Sequence, residues 1–119
     1  MSISPYVFPG LDIPLSNLFK TTDINLIGDR VCSIIADLHN ISVRELKSRR
    51  RYWRYVSSRA MVSKILREHY GFTLSQIGMM LGGRDHTTVH HALKCHDADM
   101  HSDYRGYGKR YREALKIIV

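Results

Sequence analysis

Residues 82–91 read Gly-Gly-Arg-Asp-His-Thr-Thr-Val-His-His, a glycine pair followed by short polar side chains that hold hydrogen-bonding groups close to the backbone. Gly82 and Gly83 permit backbone angles closed to other residues, so the pair suits a tight turn. Asp85 can cap a following helix by accepting the amide hydrogen of Thr87 or Thr88. His86, Thr87 and Asp85 itself are then left at the leading end of that helix. In a helix-turn-helix this is the part that meets base edges in the major groove. A carboxylate can accept from cytosine N4, and threonine and imidazole carbons can pack on a thymine methyl.

Other chemistries compete for the same residues. Asp85 also fits a cap with no base contact. His86 with His90, and His91 with Cys95, have the i,i+4 spacing that brings two metal ligands together, yet no CxxC pair or second ligand cluster accompanies them, so no metal is expected. His90 and His96 are expected to be exposed or phosphate-facing. His86 with Thr87, or Cys95 with His91, mimics a nucleophile and base. No oxyanion loop or paired carboxylate motif completes either constellation. The glycine pair lacks the Gly-Lys-Ser/Thr ending of a phosphate-binding loop. The expectation is a binding protein, not an enzyme, with no cofactor.

Charge points the same way. The chain carries a net charge of +7 over 119 residues. Between positions 44 and 68 lie nine basic residues against two acids, a local surplus equal to the whole net charge. Such a block fits a phosphate backbone better than the alternatives, an ordinary solvated face or a membrane-surface patch. No apolar run reaches the 18 to 20 residues that span a bilayer, and the start lacks the order of a signal peptide, so a cytoplasmic, nucleoid-associated protein is expected. Cys32 and Cys95 fall in separate helical segments and read as small core or boundary residues.

One domain of packed helices must position these groups. Residues 1–22 hold all three prolines and show no sustained period, which reads as an arm; Tyr6, Val7, Phe8, Leu11, Ile13, Leu18 and Phe19 suggest that it packs on this domain or a partner. Residues 23–119 read as the domain itself. Ile24, Ile27, Val31, Ile34, Ile35 and Leu38 predict a helix started by Thr22 or Asp23 and ending near Asn40. The Ser42 and Glu45 spacing predicts a capping box and a short second helix. A basic, aromatic connection over 49–55 precedes a third helix capped by Ser57 or Ser58, with Ala60, Met61, Ile65 and Leu66 inward, ending at Tyr70 and Gly71. Thr73 and Gln76 make a second capping box for a two-turn helix in which Gly78 fits a close crossing. After the glycine turn, a helix over 86–98 points Val89, Ala92 and Leu93 inward. A loop over 100–103 and a final helix from Tyr104 complete an all-α fold of about six helices.

The stretch from about Leu26 to Val119 resembles the C-terminal DNA-binding domain of the bacterial replication initiator family, DnaA. The residues that carry the resemblance are Gln76-Ile77-Gly78, then Gly82-Gly83-Arg84-Asp85-His86-Thr87-Thr88-Val89, and His91-Ala92. The resemblance implies a Trp-repressor-like helical fold that reads asymmetric double-stranded boxes similar to TTATCCACA. It implies that Arg51, in the basic loop, enters the minor groove, a setting arginine favours. It also implies that Asp85, His86 and Thr87, with Thr88, read the major groove, that Arg59, Arg67 and Arg84 lie near phosphates, and that His91 packs inside. Arg49, Arg50 and Lys64 join them as expected phosphate contacts from the basic block.

The family's ATP-binding and helicase-contacting domains have no counterpart in these 119 residues. The expectation is therefore a stand-alone, monomeric reader of bacterial or phage origin, which regulates replication or transcription by occupying boxes or competes with the initiator for them. The alternative is an adaptor that keeps the fold, has lost box recognition, and binds a protein through the arm or through Tyr52, Trp53 and Tyr55.

Overall fold

The computed structural model describes residues 21–118. The arm expected over 1–22 lies outside them, except for Thr21 and Thr22, whose backbone is already helical. Six α-helices follow: α1 (Thr21–Leu38), α2 (Val43–Leu46), α3 (Trp53–Tyr70), α4 (Leu74–Met80), α5 (His86–Ser102) and α6 (Tyr107–Ile118), with a 3₁₀ turn (Tyr104–Gly106) before α6. No strand occurs among the described residues. The fold is all-α.

α3 is the central element. Its buried stripe of Ala60, Met61, Val62, Ile65 and Leu66 meets Ile27, Val31 and Ile35 of α1, Ile77 of α4, Val89 of α5 and Tyr107, Tyr111 and Ala114 of α6 in one cluster. Local chemistry sets where the helices stop and start. Asn40 takes a left-handed backbone (φ 56) after α1, a conformation that asparagine tolerates better than most residues. Gly71 does the same after α3 (φ 68), where its amide and that of Phe72 both close on the Leu66 carbonyl. The two expected capping boxes are present. The Ser42 and Thr73 hydroxyls accept the amides of Glu45 and Gln76, whose side chains return the bond.

Three boundaries differ from expectation. α3 starts at Trp53, four residues before the serines expected to cap it, and Ser57 and Ser58 are buried within it. The Ser58 hydroxyl donates to the Arg54 carbonyl one turn back at 2.6 Å, the alternative use of a helical serine. α5 runs on to Ser102, so no loop occupies 100–102. α6 begins at Tyr107 rather than Tyr104, because Asp103, Arg105 and Gly106 all take positive φ and break the helical path. Asp103 then caps α6, its Oδ1 accepting the Gly108 amide at 2.9 Å.

Candidate nucleic-acid interface

α4, the glycine turn and α5 form the helix-turn-helix. The chain reverses at Gly82 (φ 89) and Gly83 (φ 82), both in the left-handed region expected of them. Gly78 is needed for a different reason. Its carbonyl accepts the amides of Gly83 and Arg84, and a Cβ at Gly78 would stand 2.0 Å from the Arg84 carbonyl oxygen. The close approach at Gly78 is thus chiefly to the turn, with the Val89 side chain a looser second neighbour at 3.6 Å.

Asp85 caps α5, its Oδ1 accepting the Thr88 amide at 2.8 Å. That bond holds its carboxyl below the usual carboxylate range. Asp85, His86, Thr87 and Thr88 are all exposed, while Val89 is fully buried and anchors the helix. The capped end of α5 is therefore fixed from below and open from above.

The basic loop lies beside it. Arg49, Arg50 and Arg51 are exposed. Arg49 and Arg51 share a groove of about 380 Å³ with Arg84, Thr88, His91, Ala92 and Cys95, floored by Val56, Leu81 and Val89. Tertiary packing thus brings the loop alongside the face of α5 that continues from its leading residues.

The remaining cations are placed unequally. Arg59 is 7% exposed, and its Nε donates to the Leu46 carbonyl at 2.7 Å while Nη2 donates to the Ser48 carbonyl. Arg84 donates through Nε to Leu81 and through Nη2 to the same Ser48 carbonyl. Burial, and then the charge of Arg84, push the Arg59 guanidinium down to about 10; burial and Arg49 lower that of Arg84. Neither forms an ion pair among the described residues. Lys64 pairs with Glu68 and, at 3.9 Å, with Asp97. Arg67 is exposed, and its Nη1 donates to the Phe72 carbonyl at 2.8 Å.

Two histidine expectations are reversed. His91, expected inside, is exposed, with its Nε2 3.6 Å from the Cys95 sulfur. His96, expected outside, is 3% exposed and lies 2.7 Å, through Nδ1, from the Tyr107 hydroxyl. The signal for His96 was present in the sequence: it stands seven residues after Val89, on the inward stripe of α5. His90 is exposed as expected. The aromatic trio is also divided. Tyr55 is buried with its hydroxyl donating to Glu45 Oε2 at 2.6 Å, whereas Tyr52 is exposed and Trp53 half-buried.

Among the described residues, no group of three or more His, Cys, Asp or Glu side chains gathers closely enough to hold a metal ion. No described helix is long and apolar enough to cross a membrane. Both cysteines are free thiols.

A family model described as the bacterial dnaA protein helix-turn-helix matches residues 28–95. The chromosomal replication initiator protein DnaA of Francisella tularensis subsp. novicida is 34% identical over 80 residues, which make up 67% of this chain and 16% of that protein. The proteins of the same name from Francisella tularensis subsp. holarctica and Francisella philomiragia match to the same extent. The chain thus covers only 16% of the length of these relatives. Because the family match takes in the basic loop, the glycine turn and the leading half of α5, this chain belongs to the bacterial DnaA helix-turn-helix family.

Proposed function

We propose that this chain binds double-stranded DNA in a sequence-specific manner, at sites similar to DnaA boxes, and acts in or on replication initiation by occupying them. The observation that carries the reading is the groove in which Arg49 and Arg51 of the basic loop meet Thr88 and His91 of α5, beside the exposed, capped end of that helix. One surface thereby offers both a phosphate-seeking loop and a base-reading helix end.

Docking begins with the loop, where Arg49 and Arg50 neutralise phosphates and release counterions. Arg51 enters the minor groove. His86 and Thr87 then meet thymine methyls in the major groove, and Asp85, while capping α5, accepts from a cytosine amine. Thr88 supports them from the next position. Arg67, with Lys64 beside it, supplies outer phosphate contacts. Arg59 and Arg84 hold the loop in place and lend it positive potential, their donors being spent largely on carbonyls. The activity assigned to this segment is occupancy of DNA, with no ATP hydrolysis. The adaptor alternative draws less support from the aromatic trio, since Tyr55 is buried and bonded to Glu45.

Selection from random duplexes, followed by sequencing of the bound pool, tests the reading. An enriched box is expected; a pool with no enriched sequence counts against it and favours the adaptor.

A further inference from the structure

The start of α3 gathers cations that the DNA-reading surface leaves unused. Three guanidinium groups surround the Trp53 ring, with the carbon of Arg105 at 4.7 Å from its centroid, Arg54 at 5.0 Å and Arg110 at 5.3 Å. Indole attracts each cation, yet the three repel one another. None of them forms an ion pair among the described residues. Asp99 and Asp103 act on Arg110 only at a distance, and Asp103 Oδ1 is already occupied by the Gly108 amide.

The cluster is built, not loosely assembled. Arg54 Nη1 donates to the His39 carbonyl at 3.0 Å, and Arg110 Nε donates to His39 Nε2 at 3.2 Å. Arg110 Nη1 donates to the Arg105 carbonyl, and its buried Nη2 has no hydrogen-bond partner. Arg105 itself is exposed and held at φ 49, a left-handed backbone that arginine rarely adopts. The N-terminus of α3 opens at the same place, and Tyr52, its capping position, gives the first amides no side-chain acceptor. An uncapped helix start adds its own positive potential to the three guanidinia.

We propose that Arg54, Arg105 and the uncapped start of α3, backed by Trp53 and Arg110, form a second oxyanion site that takes a backbone phosphate of the bound duplex. The proposal rests on the DNA-binding reading and extends its footprint to the turn between α5 and α6. Trp53 follows Arg51 by two residues, at most about 7 Å of chain. A strand whose minor groove admits Arg51 therefore runs its next phosphates within reach of this cluster. An anion there supplies the negative charge that the three guanidinia lack.

The test compares wild type with Arg105→Asn, which removes the charge and keeps a side chain that tolerates left-handed backbone. Affinities for a box duplex and a scrambled duplex are measured across salt concentrations, alongside thermal melting. Arg105→Asn is expected to weaken binding to both duplexes by about five- to tenfold at low salt and to lower the salt slope by about one. Arg105→Lys should restore the slope. Arg105→Gly, which suits the backbone best, must repeat the loss, so that a folding defect in the first variant cannot account for it.

Unchanged affinity and slope in both neutral variants, with wild type binding normally, overturns this site and leaves the DNA reading standing. Wild type that binds neither duplex defeats both. Trp53 is the sole tryptophan, so its emission reports on the cluster when inorganic phosphate is titrated into the free protein at constant ionic strength. A phosphate response that Arg105→Asn abolishes, combined with an unaltered duplex slope, assigns the site to free anions and overturns the duplex-phosphate proposal.

Discussion

Arg59 and Arg84, one in the central helix and the other in the glycine turn, both donate to the carbonyl oxygen of Ser48. That shared acceptor ties the basic loop to the helix-turn-helix. It is the contact through which the loop acquires a fixed position beside α5. Arg59 also holds the Leu46 carbonyl, so one guanidinium spans the end of α2 and the start of the loop.

Arg59→Ala should therefore act first on stability. Removing it leaves the Leu46 carbonyl without its guanidinium donor and the Ser48 carbonyl with Arg84 alone, and a loss of about 1 to 3 kcal/mol is expected in urea unfolding. Arg59→Lys should recover little, since an ammonium cannot reproduce the fork. Arg49→Ala, at an exposed position, should leave unfolding unchanged and reduce the salt slope of DNA binding by about one. The reverse pattern would sink the assignment of the two arginines.

His86→Ala or Thr87→Ala should cost about 1 to 3 kcal/mol on an enriched box and hardly alter binding to random duplex. Both side chains are exposed at the start of α5, so little of this should come from folding. Equal losses on the two duplexes would remove them from base reading.

At Asp85, capping and reading can be separated. Asp85→Asn keeps an oxygen for the Thr88 amide and should leave stability nearly unchanged, whereas Asp85→Ala should cost about 1 kcal/mol. If Asp85 accepts from cytosine, the asparagine variant alters base preference in a selection from random duplexes even though it remains folded. An unaltered preference reduces Asp85 to a cap.

Acid should destabilise the fold through two histidines. Burial, followed by Lys64, lowers the His96 imidazole to about 4, and burial with Arg110 and Arg54 lowers that of His39. His39 Nδ1 faces the Ile35 carbonyl at 2.9 Å and Nε2 accepts from Arg110, which together define a neutral imidazole protonated at Nδ1. For a base whose folded pKa is depressed, the unfolded chain takes up the proton first. Stability is then full above the ordinary histidine range near 6.5 and declines as pH falls from there toward 4. The His96 contribution is on the order of 3 kcal/mol. Urea midpoints measured from pH 7.5 to pH 4 should show the decline, and His96→Gln should flatten it. A midpoint independent of pH across that window would contradict the buried neutral state.

The glycines of the turn should differ in kind. Gly78→Ala sets a methyl 2.0 Å from the Arg84 carbonyl oxygen, which the backbone must yield to accommodate. Gly83→Ala meets nothing within 4 Å and suffers only its positive φ, a cost of about 1 kcal/mol. Thermal melting should rank Gly78→Ala well below Gly83→Ala. Equal losses would mean that conformational freedom alone explains both.

Much of this protein is settled locally. The capping boxes at Ser42 and Thr73, the Asp85 cap, the left-handed glycines and the inward stripes of α1 and α3 depend on neighbours within a few residues, so residue type and spacing reveal them. The leading end of α5 belongs to this class. Where a local signal had two meanings, expectation failed: Ser57 and Ser58 suit a cap or a helical back-bond, and only the start of α3 at Trp53 selects the second. Charge alone likewise could not tell a surface arginine from a buried one. Whether Arg59 meets a phosphate or the Leu46 and Ser48 carbonyls depends on where the loop folds over α3. The gathering of Arg54, Arg105 and Arg110 around Trp53 is likewise invisible in one dimension, because it joins the start of α3 to the start of α6. Sequence by itself determined the presence of the six helices and the capped, exposed leading end of α5, since short-range hydrogen bonds and periodic burial are written in adjacent residues. Tertiary structure alone decided which cations remain free to meet an anion, because that depends on carbonyls and rings contributed by distant segments.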